Sequence, residues 1–165
     1  MSWIVIYTKP SQEFRAKENL ETLGATVYVP MRRKQKVVSG TFGVDSEPLF
    51  PRYIFLRNDA VLIENIGHML RSVRGVSRIL KFGEKLSELD DEVVSDIRSV
   101  EKALSSYPVK IYQPGDNVNF TFGAFKNIDA IFKEPEGVNR VILMFDLLSR
   151  PMKVSVPLSA VKKIG

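Results

Sequence analysis

The residues of this chain that could do covalent or metal chemistry are few. The acidic run ELDDE, residues 88–92, offers adjacent carboxylates of the kind that hold magnesium. No nucleophile, base or Gly-rich phosphate loop accompanies it, and it opens an amphipathic segment in which acids complement a helix dipole. The chain has no cysteine and one histidine, His68, so disulfides, thiol chemistry and an ordinary zinc site are excluded. His68 reads as an isolated exposed or capped residue. The expectation is a protein that is no enzyme, with no metal and no cofactor.

Non-covalent chemistry is better represented. The segment RRKQK, residues 32–36, carries four positive charges, and RSVRGVSRILK, residues 71–81, carries four more without one acid. Residues 84–101 hold seven acids against Lys85 and Arg98, a net of −5. This polarity suggests a basic surface that meets phosphates and an acidic helix facing elsewhere; the alternative is two solvated faces of opposite sign. Apolar residues make up 44% of the chain, enough for a packed core, and no run approaches the roughly 20 residues of a bilayer span. Lys9 interrupts the N-terminal apolar stretch before it can act as a signal segment, so the expected location is the cytoplasm.

These groups need elements to hold them. Residues 2–8, SWIVIYT, predict a strand. A helix is expected next, with Ser11 as N-cap, Glu13 in the first turn, Ala16, Leu20 and Leu23 as its apolar stripe and Gly24 as its stop. Segments 26–30 and 34–40 predict further strands, with Gly40 and Gly43 in the loop that follows. Residues 48–58, PLFPRYIFLRN, predict a strand with prolines at its start, where a missing N–H costs least. Both its faces are apolar, Tyr53 and Phe55 on one and Ile54 and Leu56 on the other. Helices over 60–69 and 90–104 are expected to cover one face of a mainly antiparallel sheet, giving an α+β class. Tyr53, Phe55 and, from the first strand, Tyr7 would then form an apolar patch that a partner or another part of the chain must bury. A hairpin folded over these rings, making them ordinary core, is the alternative. Residues 105–116, SSYPVKIYQPGD, carry two prolines and no helical period and read as a linker. The last 49 residues hold about five short apolar segments, with turns at Gly123, 135–137 and 150–151, in strand terms a small barrel.

Residues 114–134, PGDNVNFTFGAFKNIDAIFKE, resemble the KOW motif, a strand, a turn at GAF and a second strand. A Trp-initiated strand, the helix EFRAKENLE, the segment EPLFPRYIF and the turn VRGV precede it. Together these resemble the NusG family of transcription elongation factors, and more closely its RfaH-type branch, over essentially the whole chain. The resemblance implies an N-terminal domain over 1–104 with an antiparallel sheet and flanking helices, a linker over 105–113, and a C-terminal KOW domain over 114–165. It implies that Tyr7, Tyr53 and Phe55 bind the clamp helices of RNA polymerase. It also implies that Lys9, Arg15, Asn19 and Arg74 contact the non-template DNA strand, although Asn19, Thr22 and Val73 depart from the residues that contact DNA in the best-known member. Further implications are suppressed pausing and termination, a small-subunit ribosomal protein as a further partner, and a monomer in the bacterial cytoplasm with no membrane association.

The stretch RVILMFDLL, residues 140–148, satisfies both a strand and a helix pattern, as does the segment holding Phe125, Ile128 and Phe132. Asn127 and Ala130 stand where general NusG-type units have glycines; exchanging a mid-helix Gly for Ala favours helix by about 1 kcal/mol, while Asn still enters a left-handed turn. RfaH-type proteins show this duality, the C-terminal domain being either a KOW β-barrel or a helical hairpin docked on the polymerase site. By that resemblance Glu47 and Arg140 form an interdomain salt bridge, and Phe125, Ile128, Phe132, Phe145 and Leu148 are the docking residues. Pro151 opposes the helical form, at a cost of roughly 3 kcal/mol inside a helix. The rival readings are a general NusG-type factor with an always-free barrel and a ribosome- or RNA-binding KOW protein.

Overall fold

A computed structural model describes residues 1–106, 109 and 112–164. It resolves into two compact units, one built from Met1–Arg32 and the residues from Ser46 through the third helix, the other from Arg33–Asp45 and the C-terminal residues. The sequence reading puts 33–45 within its first domain, 1–104. No helix among the described residues is long and apolar enough to cross a membrane.

The first unit is organised around strand β1 (Ser2–Thr8). After β1 come α1 (Glu13–Thr22), β2 (Val27–Tyr28), β3 (Met31–Val38), β4 (Thr41–Pro48), β5 (Tyr53–Arg57), α2 (Ala60–Ile66), β6 (Val76–Ile79), β7 (Lys81–Phe82), β8 (Lys85–Leu86), β9 (Glu88–Asp90) and α3 (Asp91–Ser106). The sheet order is β2-β5-β1-β6 with β9 also paired to β1, all antiparallel. Ile4 and Ile6 of β1 point to a core made with Ile54 and Leu56 of β5, Ala16 and Leu20 of α1, and Ile66 of α2. Alternation sends Trp3, Val5 and Phe55 to the opposite face, where Val94 and Ile97 of α3 pack on them. Helices thus lie on both faces, which corrects the expectation that one face would be left without a helix.

Polar as well as apolar contacts fasten α3. The Trp3 indole N–H donates to Asp91 at 2.8 Å, and the Arg98 guanidinium lies 5.5 Å from the Trp3 ring and 4.8 Å from that of Tyr28. Glu101 accepts from the Tyr28 hydroxyl at 2.5 Å and from the Met31 N–H at 2.9 Å. Burial first, and then the Glu101 carboxylate, push the Tyr28 phenol well above its ordinary value. Within ELDDE, Asp91 is thereby tied to Trp3 and Glu88 accepts from the Ser2 hydroxyl at 2.6 Å.

Several boundaries differ from expectation. Ser11 has φ 56° and is not the N-cap; Gln12 takes that place without a side-chain bond. Gly43 lies inside β4. The expected strand over 48–58 is split, Pro48 ending β4 and a turn preceding β5. The third helix runs to Ser106, while the part of the linker over 107–108 and 110–111 lies outside the described residues.

The second unit contains β10 (Asn117–Phe120), β11 (Asp129–Glu136), β12 (Arg140–Leu147), β13 (Arg150–Pro157) and β14 (Val161–Lys163), in sheet order β13-β12-β11-β10-β14. The ambiguous stretch 140–148 is therefore strand and turn: Val141, Leu143 and Phe145 are buried while Ile142 and Met144 are only partly so. Antiparallel neighbours on both sides enforce period two. Leu148 and Ser149 form the next turn with φ of 51° and 63°, and Asn127 enters the left-handed region at φ 65°. Pro151 sits on β13, at the end of the sheet order, where its missing N–H costs least. The Gln113 N–H, and then the Lys163 ammonium, hold the Asp116 carboxyl below its ordinary range.

The hairpin of β3 and β4 contributes its outer part to this second core. Val37 is wholly buried there, and Phe42 packs 5.6 Å from the Phe132 ring. Asn139 grips Val37 twice, its side-chain oxygen accepting from the Val37 N–H at 3.1 Å and its own N–H donating to the Val37 carbonyl at 2.9 Å. Val37→Ala is expected to destabilise this unit by about 2 kcal/mol, two buried methyl groups plus a cavity. Faster amide hydrogen exchange across 141–145, with unchanged secondary structure, is the measurement that checks it.

Candidate functional site

Two groups of side chains in the first unit stand out. The first lies on the β1–β5–β6 row, where Tyr7 faces Tyr53 on one side and Arg78 on the other. The Tyr7 and Tyr53 rings are 5.2 Å apart. Tyr53 is 37% exposed and Phe50, in the turn before β5, 39% exposed. Phe55 is only 4% exposed, edge-on to Phe50 at 6.3 Å and packed with Trp3, Val5 and Val94. Of the three rings expected in an open patch, two are at the surface and Phe55 is core, because α3 reaches its end of the face and not that of Tyr7.

The guanidiniums of Arg52 and Arg78 lie 4.1 Å and 4.9 Å from the centroid of the Tyr7 ring. Arg52 has φ 70°, an uncommon conformation for a side-chain-bearing residue, and three bonds hold it there. Its N–H donates to the buried Glu13 carboxylate at 2.8 Å, its carbonyl accepts from the Thr8 N–H at 2.8 Å, and its Nε donates to the Thr8 carbonyl at 3.1 Å. Sequence reasoning missed Phe50, Arg52 and Arg78: strand periodicity puts Arg78 on a face, but only the sheet order brings it beside Tyr7.

The second group gathers Lys9, Arg15, Asn19 and Arg74. The Asn19 side-chain amide donates to the carbonyls of Arg15 at 2.8 Å and Arg74 at 3.2 Å, and the Lys9 N–H donates to the Gly75 carbonyl at 2.9 Å. Lys9, Arg15 and Arg74 are exposed. Gly75 makes this possible: at φ 95° it packs so closely on α1 that an added Cβ would lie 2.7 Å from the Ala16 nitrogen. Beside the group runs a groove of about 580 Å³ lined by Asn19, Thr22, Leu23, Met69, Val73 and Arg74. His68, an isolated exposed residue by sequence, also reaches this groove.

The residues expected to serve interdomain docking are distributed as follows. Phe132 and Phe145 are in the second unit's core with Phe125 and Ile128 against them, whereas Leu148 is 91% exposed. Arg140 donates to the hydroxyl and carbonyl of Ser155 at 3.0 Å and 2.9 Å. Glu47 pairs with Arg32 at 2.8 Å.

Residues 1–98 match the family model described as "Transcription termination factor nusG". The chain is 25% identical, over 173 residues, to the "Transcription termination/antitermination protein NusG" of Campylobacter jejuni, with 98% of this chain and 97% of that protein covered. A solved structure, "Domain interaction in Thermotoga maritima NusG", aligns with 100% of this chain and 98% of its own at 21% identity and a TM-score of 0.43. Another, of the MjSpt4:Spt5 complex, aligns at 15% identity and a TM-score of 0.39 with 99% and 97% covered. The matches reach the level of the family and do not single out the RfaH-type branch.

Gly75→Ala is expected to cost more than about 1 kcal/mol, since it combines an unfavourable φ with a backbone clash. A lowered thermal midpoint, with faster amide exchange at residues 15–19, checks it.

Proposed function

The chain belongs to the NusG family of transcription factors, and from that membership we propose that it is an elongation factor that docks on the clamp helices of RNA polymerase through Tyr7 and Tyr53. The observation that carries this reading is the aromatic pair at the one end of the sheet face that α3 leaves open. Large rings with few rotamers to freeze are suited to a binding hot spot, and the neighbouring Phe50 is held edge-on by the buried Phe55. Lys9, Arg15, Asn19 and Arg74, beside their groove, meet the non-template DNA strand, where Arg forks bond unpaired bases and Lys neutralises phosphate. The factor holds the transcribing complex in its active form, reducing pausing and termination without catalysis, as a monomer in the bacterial cytoplasm. Its KOW-type unit contacts a small-subunit ribosomal protein.

A specialised version makes the protein an RfaH-type antiterminator whose C-terminal residues mask the ring pair as a helical hairpin, with Glu47 bonded to Arg140. That version asks the residues of β10 to β14 to leave their paired strands, and Asn127 and Asn139 to leave left-handed turns that asparagine accommodates. The general-factor version needs no such change and is the one we favour.

Tyr53→Ala is expected to weaken polymerase binding at least tenfold, the cost of truncating one aromatic anchor being about 2 kcal/mol, while the thermal midpoint stays near wild type. Undiminished binding in a pull-down or titration would refute the docking reading. For the DNA contact, Arg74→Ala should weaken association with a paused elongation complex more than with free polymerase; equal losses would remove Arg74 from that role.

A further inference from the structure

We propose that Arg52 and Arg78, stacked on Tyr7, form a carboxylate-reading clamp, so that the docking patch takes an acidic protein segment that sets its carboxylates on the two guanidiniums and an apolar side chain against Tyr53 and Phe50. This rests on the polymerase-docking reading and specifies the chemistry of the surface that docks.

Three observations lead to it. The backbone of Arg52 is held at φ 70° by bonds to its N–H, its carbonyl and its Nε. Backbone strain of this kind persists only where the surroundings over-determine it, and it concentrates at functional positions. The second observation concerns partners. Among the described residues neither Arg52 nor Arg78 forms an ion pair, and the terminal nitrogens of Arg52 make no bond. Two guanidiniums within 5 Å of one ring centroid therefore offer forks of donors that no acid among the described residues fills. The third is the company they keep: Tyr53 and Phe50 supply exposed apolar surface beside the charges.

A patch with aromatic anchors and unpaired arginines fits an acidic protein surface better than a nucleic acid here. Arginine already lies over the Tyr7 ring on which a base would stack, and the chain has a separate basic group at Lys9, Arg15 and Arg74. Carboxylates accept from guanidinium edges in a bidentate manner while the stacked ring holds the planes fixed.

The test measures binding of the full chain to core RNA polymerase, and in parallel to a single-stranded DNA oligonucleotide, across a range of salt concentrations, using Arg78→Gln, Arg78→Lys and Tyr53→Ala, each checked for an unchanged thermal midpoint. Arg78→Gln is expected to weaken binding about fivefold at low salt and to flatten the salt dependence. Arg78→Lys should keep the salt dependence and lose part of the affinity. Tyr53→Ala should weaken binding at every salt concentration and leave the slope as it was. Wild-type affinity and slope in Arg78→Gln, alongside a loss in Tyr53→Ala, would overturn the clamp and leave the docking reading in place. Wild-type protein that fails to bind polymerase would overturn both. Loss confined to single-stranded oligonucleotide binding in Arg78→Gln would overturn the clamp in favour of a nucleic acid.

Discussion

The first unit depends on one strand that is apolar on both sides. Four consecutive residues of β1, Trp3 to Ile6, are buried, and alternation divides them between two faces. A strand of this kind cannot sit at the surface of a sheet that is half wet, so it occupies an inner position between β5 and β6. Helices α1 and α2 close one side and α3 the other. Because α3 ends its apolar contact before Tyr7, the chain is left with a short aromatic margin, and the arginines stack onto that margin.

The second unit follows a different logic. Its five strands enclose a core of phenylalanine and valine, and the left-handed turns between strands are taken by asparagine, leucine and serine more often than by glycine. Asn139 shows why a polar residue suits such a position: in the left-handed region it keeps a side-chain amide with which to grip the backbone of Val37. The hairpin of β3 and β4 is covalently continuous with the first unit's strands yet finishes the second unit's core.

Much of the first unit was legible in the sequence because each element carries its own period. The β-branched residues of β1, the Ala16 and Leu20 stripe of α1, and the alternation of Ile54 and Leu56 are local signals. The coverage of the second face was not, since nothing local to residues 91–106 says which side of the sheet that helix takes; Asp91, Arg98 and Glu101 decide it by reaching Trp3 and Tyr28. Phe55 is core rather than open surface for that reason. The stretch 140–148 could not be resolved locally, because Val141 and Phe145 fit both periods; pairing with β11 and β13 chooses between them. In the candidate site, Tyr7 and Tyr53 were readable from type and position. Arg52 and Arg78 were hidden, because a backbone turn and a strand order, neither written in any short motif, bring them to the same ring.

Trp3 is the only tryptophan in the chain, and its indole is engaged at the N–H by Asp91 and at the ring by Arg98, both on α3. Its intrinsic fluorescence is therefore a built-in optical gauge of whether that helix is seated. Undocking would release the nitrogen to water and shift emission to the red, with no dye or label introduced. Because the second unit carries no such chromophore, the same signal is silent on that unit's own melting.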